Sequence, residues 1–286
     1  MPVRTEPVQE FVAPVRAAAR RHAQAGLRCA WGRLRDWRPE QVQWWAVRAL
    51  TPRRVVRSRG LRFTLRCGNW VTQYRWQSYN EKEPETLDWM DRRLRDGDVL
   101  FDVGANVGVY ALYAARRHPR LRVVAFEPEC GNLHLLRDNL MDNQLHHRVE
   151  VYGIALSDRS GVSRLHLQDL LPGSALHTES VEPIERTLAG RPVIWREGIA
   201  TVTLDAFCEQ TGLRPDALKL DVDGSEPRIL EGARKTLGSL RSVILEMPED
   251  PAARGACEAR LGEEGLVRWW RDPRGASRNE IWERSA

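Results

Sequence analysis

The sequence predicts an α/β fold: a mostly parallel sheet with an antiparallel pair at its C-terminal edge, preceded by a helical and β-hairpin extension. Three observations carry this. Between residues 98 and 156 short apolar strands alternate with helical runs, as in "DVLFDV" followed by "GVYALYAARRH". The strand signal returns in "ALKLDV" and "RSVILEM", on either side of the helical "EPRILEGARKTL". The C-terminal "GLVRWWRDPRGASRNEIWER" reads as two strands around a Pro-Arg-Gly turn. Strands alternating with helices form right-handed β-α-β units, which give a parallel sheet covered on both faces.

Taken in order, residues 8–35 predict a helix, because Phe11, Val15, Ala18, Ala19 and His22 recur near helical spacing. Pro39 opens a second helical stretch, "PEQVQWWAVRAL", from a first-turn position. "RVVRSRGLRFTLRCG" alternates apolar and basic residues around Gly60, a hairpin pattern. These segments make up the expected extension, residues 1–82, ahead of a main domain at residues 83–286. That domain begins with "PETLDWMDRRLRDGD", where Leu87, Met90 and Leu94 share a helical face before a stop at Gly97. The next elements are "LRVVAFEP" (strand), "CGNLHLLRDNLMDN" (helix) and "VEVYGIAL" (strand). From Ser160 to Thr203 the pattern weakens, with a strand pair expected in "SGVSRLHLQDL" and a long functional loop in "LPGSALHTESVEPIERTLAGRPV".

At 286 residues, 42% hydrophobic and 29% charged, the chain can bury a sizeable core, which excludes global disorder. It shows no apolar run long enough to span a bilayer and no signal-peptide pattern, so a cytoplasmic protein is expected. Its five cysteines are scattered without zinc spacing, so they are expected as reduced thiols with no metal site. The net charge of +5 hides an asymmetry: residues 1–75 hold 16 arginines and four acids, leaving −7 for the remainder. An arginine-rich front suits a solvated face or an anionic partner; nucleic acid is the disfavoured partner, and a homo-oligomer stays open.

The chemistry concentrates in "LFDVGANVG". A strand ending at Asp102, followed by Gly104, Asn106 and Gly108 and then a helix, has the layout of a nucleotide site at the carboxyl edge of a sheet. The G-x-G-x-x-G turn of an NAD-dependent oxidoreductase is absent, and a carboxylate ahead of the glycines repels a pyrophosphate but suits a cationic ligand. Glu127, at the tip of the next strand, can accept from a ribose diol. Ser157 and Asp158 end the third strand, within reach of an adenine edge or as plain turn residues. In "KLDVDGSE", Lys219, Asp221 and Asp223 share a face by period two, and a carboxylate there can orient an acceptor hydroxyl and take its proton. Glu226 follows, as an acceptor contact or a helix cap.

"FDVGANVG", "FEP", "ALSD", "TVTLDAFCE" and "LKLDVDGSEPRILEGA", in this order, resemble an FkbM-type methyltransferase, a branch of the Rossmann-like class I enzymes that depend on S-adenosylmethionine. The resemblance covers about residues 83–247. It implies that Asp102, Gly104, Asn106 and Gly108 form the cofactor's methionine and ribose turn, that Glu127 with Pro128 holds the ribose, and that Ser157 and Asp158 hold the adenine. Lys219, Asp221 and Glu246 are then the expected catalytic residues. Ser174 of "PGSAL", His177, Asp223 and Glu226 are expected at the acceptor; the family usually has glutamate where this chain has Asp223. The resemblance implies O-methylation of a hydroxyl on a small metabolite, sugar or natural product. N-methylation of a small molecule or peptide is the nearby alternative, and an oxidoreductase or a nucleic-acid-binding protein the more distant ones.

Overall fold

The computed structural model describes Gln43, Ala46 and residues 49–285. The chain divides into two compact units, Met1–Thr51 and Pro52–Ala286. In the first, Gln43, Ala46, Ala49 and Leu50 are helical; the helix expected over residues 8–35 lies outside the described residues. The boundary expected after residue 82 falls inside the second unit, and the reason is packing. The hairpin of β1 (Arg53–Ser58) and β2 (Leu61–Arg66) turns through Arg59 and Gly60, both at positive φ, and its Val56, Phe63 and Leu65 enter the main core. The buried Arg66 pairs with Asp138 and, at 2.8 Å, with Asp142, which ties the hairpin to a helix more than 70 residues away. Three short helices follow: α1 (Trp70–Gln77), capped by a reciprocal Asn69–Thr72 box, α2 (Tyr79–Lys82) and α3 (Pro84–Arg93).

The expected alternation then appears as β3 (Val99–Val103), α4 (Val109–Arg117), β4 (Arg122–Phe126), α5 (Cys130–Asp142) and β5 (Val149–Tyr152). "VEVYGIAL" does not make one strand: it breaks at Gly153, and β6 (Ala155–Leu156) leaves the main sheet. The weakly patterned stretch after it is not a strand pair and a loop. β7 (Gly161–Leu167), β8 (Thr178–Ser180) and β9 (Trp195–Val202) join β6 in a second sheet, ordered β6-β9-β7-β8. Its long strand β9 is mostly exposed, so the alternation that marks a half-buried strand is faint there.

After α6 (Leu204–Thr211) come β10 (Ala217–Leu220), α7 (Glu226–Glu231), α8 (Arg234–Leu237), β11 (Ser242–Glu246), α9 (Pro251–Glu263), β12 (Leu266–Arg271) and β13 (Asn279–Arg284). The main sheet is Rossmann-like, in the order β12-β13-β11-β10-β3-β4-β5, parallel from β11 to β5 with an antiparallel pair at the C-terminal edge, as expected. Apolar residues of β3, β4, β10 and β11 divide between cores on its two faces. Between β3 and β10 the strand order reverses, which opens a crevice at the carboxyl ends where such sheets bind ligands. Among the described residues no helix is long and apolar enough to cross a membrane, and Cys67, Cys130, Cys208 and Cys257 are free thiols.

Candidate active site at the reversal of strand order

A cavity of about 470 Å³ occupies that crevice. Its first wall is the turn after β3. Gly104 sits at φ +77°, and a Cβ there would lie 1.9 Å from the Asp221 carbonyl oxygen, so only glycine lets the two strand ends meet. Asn106, also at positive φ, donates its backbone N–H to Glu127 Oε2 at 2.7 Å and its side-chain amide to the Ser174 carbonyl at 2.7 Å. Glu127 accepts a second backbone N–H, from Glu129 at 3.0 Å. Burial pushes its carboxyl up to about 7, against those two donors. Asn132 of α5 receives the Gly173 N–H at 2.6 Å and also donates to the Ser174 carbonyl, so the "PGSAL" turn is stitched over the glycine turn.

The opposite wall is charged. Lys219 and Asp102 are register partners on β10 and β3, hence on one face of the sheet, and Asp221 follows on that face two residues later. The Lys219 ammonium, 3% exposed, lies 3.6 Å from Asp102 Oδ1, 3.3 Å from Asp221 Oδ2 and 5.1 Å from the centroid of the Tyr110 ring. Burial alone would lower its pKa, but Asp221, Asp102 and Glu83 outweigh that and hold it above the usual lysine range. Burial likewise opposes ionisation of Asp221, yet Lys219 and Lys82 hold it at about 2. Asp223, strained at φ 58°, accepts the Leu176 N–H at 2.6 Å; burial and the Asp221 charge raise its pKa. Glu246, at the end of β11, pairs with Arg278 of the C-terminal edge at 2.6 Å. Burial and then Asp221 push Glu246 up to about 8. Oxygens of Asp221, Asp223 and Glu246 all lie within 4.8 Å of one another.

The family model described as the methyltransferase FkbM domain matches residues 102–260, more than half of the chain and the whole of this crevice's strand-end core. The chain belongs to that family. The 31-O-demethyl-FK506 methyltransferase FkbM of Streptomyces tacrolimicus is 31% identical over 195 residues, covering 61% of this chain and 74% of that protein. The hexuronic acid methyltransferase AglP of Haloferax volcanii is 27% identical, covering 58% of this chain and 62% of that protein. The 2-O-methyltransferase NoeI of Sinorhizobium fredii is 25% identical, covering 55% and 66%. Membership makes this chain a methyltransferase, and the FkbM family together with the Rossmann-like sheet implies S-adenosylmethionine as donor.

Of the residues expected at this FkbM-family site, Gly104, Asn106, Glu127, Pro128, Ser174, His177, Asp221, Asp223 and Glu246 line the cavity. Six do not. Asp102 is 0% exposed and faces Lys219, because register puts it beneath the lysine rather than at the strand tip. Lys219 is itself covered, and lines only a small side cavity. Gly108 caps α4 against Leu136. Glu226 is buried and accepts the Val222 N–H at 3.1 Å, bracing the turn from inside; burial raises its carboxyl to about 7. Asp158 is clamped by Arg228 at 2.8 Å, and Ser157 donates to Asp158 and to Glu179. Where Ser157 and Asp158 were expected, the wall is formed by Ile154, Ala155, Leu156 and the buried Glu179. Burial keeps His177 below the usual histidine range, hence neutral at pH 7. Sequence reasoning passed over Arg75, Lys82 and Arg278, three cations of the cavity wall that no local motif marks. They arrive from α1, α2 and the turn before β13.

Proposed function

We propose that this methyltransferase moves the methyl group of S-adenosylmethionine to a hydroxyl oxygen of a sugar or related natural product. One observation carries the reading: a backbone-built cradle around Glu127 and a trio of carboxylates share one cavity at the reversal of strand order. The cradle fits the donor. Each Glu127 oxygen accepts one N–H, which leaves a lone pair on each for the two hydroxyls of a ribose. The close approach at Gly104 leaves the turn's backbone bare, and Ile154 to Leu156 supply an apolar wall for a base. When bound, the donor supplies an electrophilic methyl carried on a sulfonium.

The chain's own contribution is to orient an acceptor hydroxyl and take its proton. Lys219 holds Asp221 ionised, which makes it a weak base and a fixed negative charge beside a cationic ligand. Glu246 is better matched to accept the proton, since a general base works best when its pKa lies near the operating pH. Asp223 and Lys82 flank the acceptor's approach. The printed names of two relatives, a 31-O-demethyl-FK506 methyltransferase and a 2-O-methyltransferase, support oxygen over nitrogen as the acceptor atom. Action on a soluble metabolite in the cytoplasm belongs to the same reading.

The test is incubation with methyl-labelled S-adenosylmethionine and a panel of sugars, macrolides and amines, with products read by mass and fragmentation. Label in a methyl ether is expected. Label only on nitrogen, or no binding of S-adenosylhomocysteine by calorimetry, overturns the proposal.

A further inference from the structure

We propose that Arg75 of α1 receives the carboxylate at the amino-acid end of S-adenosylmethionine, with Asp221 facing the ammonium of that end; this rests on the methyl-transfer reading above. With the ribose at Glu127 and the base along Ile154 to Leu156, the donor's remaining part is a zwitterion. It needs a cation and an anion side by side.

One corner of the cavity supplies both. Arg75, Lys82, Gly104, Asn106 and Asp221 line the main cavity and also the small one that Lys219 borders. Glu127, the Ile154 to Leu156 wall, Asp223 and Glu246 line the main cavity alone. The corner therefore adjoins the glycine turn and, through Asp221, the acceptor carboxylates. Asp221 is held ionised by Lys219, and its side chain is still 26% exposed to a ligand.

Arg75 is the cation with donors to spare. Acids outnumber cations around the cavity, and Lys82 is paired with Glu83 at 2.7 Å, Arg278 with Glu246 at 2.6 Å and Glu249 at 3.2 Å. Arg75, half-buried, has no ion pair among the described residues; its Nε donates to the Gly173 carbonyl at 2.5 Å, and Nη1 and Nη2 have no partner there. Its charge reaches Asp223 only at a distance: burial and Asp221 raise that carboxyl, while the Leu176 N–H, Lys82 and, least, Arg75 oppose the rise. Elsewhere the lining acids repel a carboxylate. A guanidinium fork with free ends binds one through two parallel hydrogen bonds.

The fork is also held in place before any ligand arrives. Asn69, the cap of α1, donates to the Pro172 carbonyl at 2.9 Å, and a Cβ on Gly173 would lie 3.1 Å from Thr72 and 3.3 Å from Val71. Asn132 accepts the Gly173 N–H, and Asn106 donates to the Ser174 carbonyl, so α1, the "PGSAL" turn and the glycine turn form one run of contacts. A stretch that the sequence alone reads as an extension thus takes part in the site. The donor side then carries one side chain from a separate element beside the local backbone around Glu127.

The experiment is calorimetric titration of the full chain with S-adenosylhomocysteine and with its decarboxylated analogue, which lacks only the carboxylate. The unmodified chain should bind S-adenosylhomocysteine more tightly. Arg75→Met should weaken S-adenosylhomocysteine by about tenfold, a factor equal to about 1.4 kcal/mol, and leave the analogue within about twofold. If Arg75→Met does not fold, Arg75→Lys, which keeps the charge but not the fork, carries the same comparison with a smaller ratio. An equal loss for both ligands overturns the inference, because Arg75 then acts only through the turn at Gly173. Unchanged binding of both ligands overturns it as well, and frees Arg75 for the acceptor. Failure of the unmodified chain to bind S-adenosylhomocysteine overturns the donor reading instead.

Discussion

Glu127 and Glu246 are two buried glutamates at strand tips in one cavity, and burial raises both, to about 7 and about 8. Their surroundings differ. Glu127 receives two backbone N–H groups, from Asn106 and Glu129, within 21 residues of chain. Glu246 receives a side chain, Arg278, and faces two other carboxylates. A carboxylate gripped by backbone amides is held in one place and suits binding; one lifted by like charges is poised to change protonation and suits proton transfer. On the proposed reading, the donor side is built from backbone close in sequence, the acceptor side from side chains brought together by topology.

The largest effect is expected beneath the acceptor side. Lys219→Met leaves Asp102 buried without its counter-charge, and breaking a buried pair by removing one partner costs about 3–5 kcal/mol. Urea unfolding of Lys219→Met should show that loss, and Asp102→Asn in the same chain should recover much of it. A loss that the double variant leaves unchanged would mean that Lys219 serves Asp221 alone.

Next, Glu246→Gln should lower kcat by about 10²–10⁴-fold, the usual contribution of general-base catalysis, with donor affinity unchanged. The pH profile sharpens this. Glu246 can take a proton only when ionised, and its raised pKa means that it is protonated below about 8. In the unmodified enzyme kcat should climb through that pH and level off above it; in Glu246→Gln the climb should vanish. A profile that survives the substitution moves the base elsewhere. On the donor side, Glu127→Ala should weaken S-adenosylhomocysteine binding by about 10–100-fold, the loss of two charge-assisted hydrogen bonds, while leaving the limb near pH 8 in place. A parallel loss of both would show that the two halves are not separable.

The same contrast explains what could be read from the sequence. Gly104, Asn106 and the tip at Glu127 stand in short runs whose residue types state their backbone needs, so local chemistry brought them to one cavity, whereas Asp102 and Gly108 of the same turn lie outside it. In "LKLDVDGSE" the shared face of Lys219 and Asp221 was legible, but β10 ends at Leu220 and Asp223 turns to φ 58°, so period two does not reach it, and Lys219 and Glu226 lie outside the cavity. The sequence does not show depth: period two places Asp221 and Lys219 on one face, but only the pairing register puts Asp102 under the lysine. Arg75, Lys82 and Arg278 come from three other elements, and no spacing rule connects them. The second sheet was hidden because exposed strands such as β9 lack a one-sided apolar pattern.

Asp158 supplies the smallest and most discriminating prediction. By motif it belongs to the donor half, as an adenine contact; by structure both guanidinium nitrogens bonded to it belong to Arg228, at 2.8 and 3.0 Å, and it does not line the cavity. Arg228 also bonds Glu179, so the pair acts as a strut under the second sheet. Asp158→Asn keeps the shape and removes the charge. Because both partners are about one-third exposed, the stability cost should stay near the surface-pair range of about 0.2–1 kcal/mol. S-adenosylhomocysteine affinity should change by less than about threefold, under about 1 kcal/mol. If calorimetry shows a drop of tenfold or more with the melting temperature unmoved, Asp158 touches the donor directly, and the wall of the adenine subsite must be redrawn from Leu156 out to Asp158.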